Sequence, residues 1–141
     1  ADGSSFGKAF FCSSGSEAND TAMKMVWYYQ AARGKPEKRK IISRRRGYHG
    51  VTMAAASMTA LAYAQNGFGL PLDFVKHTTT PDYYNEGRDG ESEAEFTARC
   101  AAELEALIIE EGPETVGALF VMIVILMIRP QGILGRRERV G

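Results

Sequence analysis

Short apolar runs alternate along the chain with longer amphipathic stretches, a pattern typical of strands separated by helices. The runs that are short enough for buried strands lie at residues 8–13, 41–42, 74–78 and 116–120. Strands that alternate with helices predict a layered α/β domain with a largely parallel sheet. In such folds, cofactors bind beyond the carboxyl ends of the strands.

Helical periodicity predicts two long helices. The first covers residues 15–32 and is ended by Gly34 and Pro36. The second begins at a capping box formed by Ser92 and Glu95 and ends near Gly112. Apolar residues mark the inner face of each helix: Ala18, Ala22, Met25, Tyr29 and Ala32 in the first, and Phe96, Cys100, Leu104, Leu107 and Ile108 in the second.

The segments between these elements are less regular. Residues 51–61 are small and apolar, which predicts a packed helix. Residues 62–72 are predicted to form a loop with a turn at Asn66 and Gly67, and residues 79–90 are predicted to be irregular.

Candidate chemistry starts at the turn between the first predicted strand and the first helix. Ser14 and Glu17 have the spacing of a capping box. A helix start offers unpaired backbone N–H groups, and Gly15 between Ser14 and Ser16 would let the turn wrap a phosphate closely. The alternative is that this is an ordinary helix start, since many helices begin with serine and glycine and bind nothing.

A set of collinear motifs changes the balance between these two interpretations. Ser-Gly-Ser-Glu-Ala-Asn-Asp-Thr-Ala-x-Lys at residues 14–24 resembles the cofactor-phosphate motif of the class III aminotransferases, which are pyridoxal-phosphate enzymes of fold type I. The chain is most similar to their omega-amino-acid:pyruvate branch. Further motifs follow in the family's order at residues 34–37, 41–44, 47–52, 82–84, 90–93 and 111–116.

The resemblance implies a function and a set of cofactor-binding residues. Such enzymes transfer an amino group from an amine or omega-amino acid to a keto acid such as pyruvate, and they are homodimers. Gly15 and Ser16, with Ser14, would hold the phosphate of pyridoxal 5'-phosphate, and Tyr48 would stack on its ring. His49 has an intrinsic pKa suited to proton transfer, but no partner is visible, which favours a structural, hydrogen-bonded histidine.

The resemblance covers only part of a full enzyme, namely part of the large, cofactor-binding domain. Neither the Schiff-base lysine nor the carboxylate that pairs with the pyridine nitrogen maps onto residues 1–141, so no catalytic residue is predicted. Residues 120–141 diverge from the family pattern, as expected for either a shifted reading frame or a diverged copy. The apolar run at residues 119–128 is too short for a membrane span and is expected to form a buried strand, or to aggregate if its neighbours are missing. The alternative function is therefore a non-catalytic remnant, or a module for phosphate binding or assembly.

Composition narrows the remaining possibilities. The 141 residues carry a formal net charge of zero, which argues against nucleic-acid or membrane partners. The basic residues 38–46 could form a nucleic-acid patch, but a buried strand with solvated charged ends is the favoured interpretation. Cys12 and Cys100 are expected to be buried free thiols, and His77 has no second ligand at metal-binding spacing. The polar, glycine-rich residues 1–8 do not resemble a secretory signal, and a cytoplasmic location is the default expectation.

Overall fold

Helices and strands alternate through residues 10–120, which are the residues that the computed structural model describes. Their bounds, in chain order, are α1 Gly15–Ala32, β1 Lys40–Arg44, α2 Met53–Met58, α3 Ala62–Gln65, β2 Val75–Thr78, α4 Tyr83–Glu86, α5 Glu93–Glu111 and β3 Val116–Leu119. The two long helices and the strands β1, β2 and β3 confirm the main elements that the apolar pattern predicts.

The three strands form one parallel sheet with the order β2-β1-β3. Ile41 lies opposite Val75 on β2, and Lys40 lies opposite Val116 on β3. The central strand is fully buried at Ile41 and Ile42, because it has a neighbour on each side and a helical layer over each face. The predicted parallel α/β arrangement is therefore confirmed.

The core lies between the sheet and the first two helices. Met23 of α1 and Met58 of α2 pack with Ile41 and Val75. The inner face predicted for α1 is therefore wrong: Met25 and Tyr29 are exposed, because the apolar residues of this helix lie on both of its faces and Met23, Val26 and Trp27 occupy the side toward the sheet. The neighbouring strand positions point to the opposite face, where Lys40 and Lys76 form ion pairs with Glu111 of α5. The sheet is thus covered by α1 and α2 on one face and by α5 on the other.

Some predicted elements differ from the structure. Residues 10–13 form no strand: Phe11 is 90% exposed, because no described strand or core surface lies beside it. The helix predicted for residues 51–61 is limited to α2, since Thr59 leaves helical geometry and its hydroxyl bonds the loop. The segments predicted as loop and irregular contain the single-turn helices α3 and α4.

The predictions for the turn at Gly67, the two cysteines and β3 are confirmed only in part. The turn at Gly67 is present, with a φ of 82°. Both cysteines are free thiols, but each is half-buried rather than buried, and β3 is likewise only half-buried. The divergent segment 120–141 and the apolar run 119–128 lie almost wholly outside the described residues. Within residues 10–120, no helix combines the length and the apolar character needed to cross a membrane.

Candidate cofactor-binding site

The first turn of α1 presents backbone donors at an open surface. Ser14 caps the helix, because its Oγ accepts a hydrogen bond from the Glu17 N–H at 3.1 Å. Among the described residues, nothing accepts from the N–H groups of Gly15 and Ser16. A Cβ placed on Gly15 would have no atom within 4 Å, so the space in front of this turn is open to a ligand. The start of an 18-residue helix also supplies the positive end of its dipole.

The capping box predicted at this helix start is only half formed. The Glu17 carboxylate turns to Ser13 instead of Ser14, accepting from the Ser13 N–H at 3.0 Å and from its hydroxyl. Both hydrogen bonds lower the pKa of Glu17, and the one from the Ser13 hydroxyl has the larger effect. Its carboxylate is therefore ionised at neutral pH and holds Ser13, the residue before the helix cap, in place.

The loop that follows β1 is held against α1 by hydrogen bonds from three α1 residues. The Ser16 Oγ accepts from the Val51 N–H at 3.0 Å. One turn later, the Asn19 Nδ2 donates to the His49 carbonyl oxygen at 2.6 Å. The Asp20 Oδ1 accepts from the Thr52 hydroxyl at 2.9 Å and from the Ala55 N–H at 3.1 Å. We call Ser16, Asn19 and Asp20 the α1 clasp.

Thr59 holds the same loop from the side of α2. Its buried Oγ1 accepts from the His49 N–H at 2.8 Å and donates to the Gly50 carbonyl oxygen at 3.1 Å. Thr59 and Asn19 together therefore hold three successive peptide groups, from residue 48 to residue 51. Tyr48, at the start of this stretch, has 37% of its surface exposed.

His49 is buried and His77, which lies near it, is half-buried. His49 is 4% exposed, and its Nδ1 has no hydrogen-bond partner among the described residues. Burial lowers the pKa of His49, and a positive charge on His77 would lower it further. Burial also lowers the pKa of His77, whose Nε2 lies 3.0 Å from the Ser57 carbonyl oxygen and can donate to it. Both rings are therefore neutral at pH 7.

The structure thus brings the sequence-predicted residues together in two joined parts. Ser14, Gly15 and Ser16 form the start of α1, and Tyr48 and His49 lie on the loop that the clasp holds to that helix. Hydrogen bonds fix the His49 backbone, but its Nδ1 has no partner among the described residues, so the hydrogen-bonded imidazole expected from the sequence is not observed at this nitrogen.

Sequence reasoning missed the residues that join these two parts. Asn19, Asp20, Thr52 and Thr59 were not singled out. The available signal was a pair of poor helix formers, Asn19 and Asp20, next to one another inside a helix. Such residues inside a helix are often there for side-chain hydrogen bonds.

The basic residues at the two ends of β1 are engaged with neighbouring side chains. Arg39 lies over the Trp27 ring, with its guanidinium carbon 4.7 Å from the ring centre. Lys40 pairs with Glu111 at 2.8 Å, and Arg46 pairs with Glu86 at 3.3 Å. These contacts fit a strand with charged ends. No group of three side chains suited to a metal ion occurs within residues 10–120.

Comparison with known proteins identifies the family. The model of the family described as Aminotransferase class-III matches residues 2–124. The chain belongs to the class III aminotransferases. Members of this family use pyridoxal 5'-phosphate, and the chain has the fold of the fold-type-I transaminases.

Individual relatives show the same relationship. Gamma aminobutyrate transaminase 1, mitochondrial, from Solanum lycopersicum is 52% identical over 111 residues, which are 79% of this chain and 22% of the relative. Vanillin aminotransferase from Capsicum chinense is 51% identical over 111 residues, again 79% of this chain and 24% of the relative. A crystal structure of the omega transaminase from Pseudomonas jessenii in complex with PMP superposes with a TM-score of 0.77 at 55% identity, covering 78% of this chain and 24% of that one. The chain therefore spans about a quarter of the length of these relatives.

Proposed function

We propose that the chain is the phosphate- and ring-binding part of a pyridoxal-phosphate aminotransferase. The reaction would move an amino group from an amine or omega-amino acid to a keto acid such as pyruvate. Its support is the family membership together with relatives named for gamma-aminobutyrate, vanillin and omega-amino transfer. These relatives differ in the substrate that their names state, so the class of substrate is proposed and not a single compound.

The observation that carries the proposal is the open first turn of α1. The N–H groups of Gly15 and Ser16 have no acceptor among the described residues, and a Cβ on residue 15 would meet no atom within 4 Å. A phosphate there would accept both N–H groups and meet the positive end of the helix dipole. Ser14 and Ser16 also carry hydroxyls, although each already accepts a backbone hydrogen bond, so their part would be to donate.

Tyr48 would bind the ring of the same cofactor. It lies on the loop that α1 holds, and its partly exposed ring gives a flat surface for a pyridine ring. When bound, the cofactor would supply an electron sink for the amino-group transfer. His49 would support the loop as a neutral histidine, because burial lowers its pKa and keeps it from accepting a proton.

We also propose that the parent enzyme is a homodimer. Large apolar side chains on the outer face of α1, namely Met25, Tyr28 and Tyr29, are exposed and would suit contact with another protein surface. The cytoplasmic location expected from the sequence stays a prediction, since relatives are named mitochondrial and chloroplastic.

We call the proposed phosphate site, formed by Ser14, Gly15 and Ser16, the cradle. Equilibrium dialysis of the purified chain against pyridoxal 5'-phosphate and, separately, against pyridoxal tests whether the cradle binds phosphate. We expect the phosphate ester to bind and pyridoxal to bind at least about tenfold more weakly, since charge-assisted hydrogen bonds to the phosphate are lost. Gly15→Asp should abolish the difference, because its carboxylate would occupy the phosphate position and repel the ligand.

A matched variant tests whether the loss of binding depends on where the negative charge is placed or only on its presence. Ala102→Asp adds the same charge on the exposed face of α5, far from the cradle in the chain, and should bind as the unaltered chain does. Binding that is indifferent to the phosphate and to Gly15 would contradict the proposal and favour a non-catalytic remnant or assembly module.

A further inference from the structure

Two α1 residues with no assigned role connect the two halves of the proposed cofactor site. Asn19 lies one helical turn beyond Gly15, and its amide holds the carbonyl oxygen of His49 at 2.6 Å. That carbonyl belongs to the residue directly after Tyr48. The position of the Tyr48 backbone relative to the start of α1 is therefore set by a hydrogen bond from α1 itself.

Asp20 fixes the other end of the same loop. The cap residue of α2, Thr52, makes no side-chain hydrogen bond to its own helix. The Asp20 carboxylate replaces it by accepting the Ala55 N–H, which is one of the unpaired donors in the first turn of α2, and also the Thr52 hydroxyl. A carboxylate at a helix start is further favoured by the helix dipole. Asp20 thus docks the start of α2 onto α1.

The loop has little else to fix it against α1. Its side toward the sheet is held by the Gly47 N–H on the Arg44 carbonyl at 3.2 Å and by the Thr59 hydroxyl. Those bonds tie the loop to β1 and α2, not to the helix that carries Gly15. Within residues 10–120, the remaining hydrogen bond between this loop and α1 joins the Val51 N–H to the Ser16 Oγ, and Ser16 already belongs to the proposed cradle.

We propose that Asn19 and Asp20 are positioning residues that set the distance between the phosphate cradle and the ring-binding Tyr48. This inference rests on the proposed function. A cofactor has a fixed span between its phosphate and its ring, so a displaced loop weakens only a ligand that uses both parts. Inorganic phosphate, which uses the cradle alone, is unaffected by the position of the loop.

The experiment measures dissociation constants of the chain for pyridoxal 5'-phosphate and for inorganic phosphate by dialysis. Asn19→Ala and Asp20→Ala should each weaken pyridoxal 5'-phosphate by about tenfold, the equivalent of one good hydrogen bond, and change phosphate by less than about twofold. Asp20→Asn keeps an acceptor oxygen and makes the same charge change as Asp20→Ala, so it should restore the affinity for pyridoxal 5'-phosphate.

Val26→Ala is the control for general destabilisation. Val26 lies on the same helix and packs against the core, away from the clasp. It should leave the ratio of the two dissociation constants unchanged. A loss of both ligands together in the Asn19 and Asp20 variants, or an unchanged ratio, would overturn the inference.

Amide hydrogen exchange keeps the inference testable without any ligand. In Asn19→Ala and Asp20→Ala, the His49 and Val51 amides should exchange faster than in Asp20→Asn and Val26→Ala, while the Ile42 amide stays equally protected. If the unaltered chain binds neither ligand but this exchange pattern is seen, the cradle proposal fails and the clasp stands. If the loop amides do not respond, the clasp is wrong whatever the chain binds.

Discussion

Gly50 is a residue of the loop after β1 whose backbone lies close against α1. Its φ of 126° is a conformation that residues with a side chain rarely adopt. A Cβ at this position would lie 2.4 Å from the Ser16 Oγ and 2.9 Å from the Ser16 Cα. Backbone conformation and close approach therefore require glycine at the same point, next to the cradle.

Replacing Gly50 by alanine should lower the free energy of unfolding by about 3 kcal/mol, since strain and overpacking act together. Gly67→Ala provides the matched comparison, because Gly67 has a φ of 82° but no atom within 4 Å of its Cβ position. It should cost only about 1 kcal/mol. Urea denaturation of both variants measures the difference, and equal losses would show that the Ser16 contact contributes nothing.

Residues that act through their own local sequence could be predicted, and residues that act through a distant partner could not. Ser14 and Gly15 were visible because a cap and an open helix start are properties of neighbouring residues. The role of Asn19 depends on a carbonyl oxygen thirty residues later, whose position only the folded chain fixes. The Glu17 carboxylate is a different case: the spacing predicts Ser14 as its partner, whereas Ser13, which is also a local neighbour, is the residue that it bonds.

At the scale of elements, α5 is the helix whose start is best defined. The Ser92 Oγ accepts from the Glu95 N–H at 3.3 Å, and the Glu95 carboxylate accepts from the Ser92 N–H at 2.8 Å. The capping box predicted from the sequence is therefore confirmed in both directions. It places Phe96, the buried residue of α5, at a fixed point beneath Tyr83.

Ser92→Ala should lower the free energy of unfolding by about 1 kcal/mol, the usual value for a lost helix cap. Ser92→Thr keeps the hydroxyl and should lose much less. Thermal or urea unfolding followed by circular dichroism measures both. Equal stability of the alanine variant and the unaltered chain would mean that solvent replaces the cap fully.

Long elements were predicted better than short ones because periodicity needs length. The 18 residues of α1 and the 19 of α5 contain several apolar repeats, whereas α3 and α4 have four residues each and carry none. The strand expected at residues 8–13 is absent from its described part, residues 10–13, for a different reason. An apolar run forms a strand only beside a partner strand, and the described chain offers these residues none.

At the scale of the whole molecule, the sheet type followed from the alternation of elements, but the strand order did not. Three strands separated by helices predict parallel pairing through right-handed crossovers. Which strand occupies the centre depends on how the helices pack, and here it is β1, the first strand of the sheet along the chain.

The whole fold should lose stability as the pH falls from about 7 to about 5. The pKa values of His49 and His77 in the folded state lie below the ordinary histidine value of about 6.5, mainly because of burial. The unfolded chain therefore takes up protons below pH 6.5 that the folded chain resists, so stability declines until the folded pKa values are reached. Above pH 7 both states hold neutral imidazoles and the effect is absent.

Urea midpoints at about pH 7.5 and about pH 5.5 measure this loss. His49→Gln with His77→Gln should flatten the difference between the two midpoints. The ionisation of Glu91 does not affect this comparison. Arg99 lowers the pKa of Glu91 to about 2, so the stability that this carboxylate contributes is lost only as the pH falls below 4.5. A double variant with the full pH dependence would show that other groups cause it.

The central place of β1 also has a consequence for synthesis on the ribosome. This strand emerges before both of its partners, since Val75 and Val116 are translated later. A nascent chain that ends after Thr78 can pair one edge of β1 with β2, but the other edge stays open. Ile41 and Ile42 are then not fully covered, because α5 has not yet been made. Until β3 leaves the exit tunnel, β1 therefore has an unpaired edge, although it is the most buried strand of the complete sheet. Chaperone binding during translation would matter most at this strand.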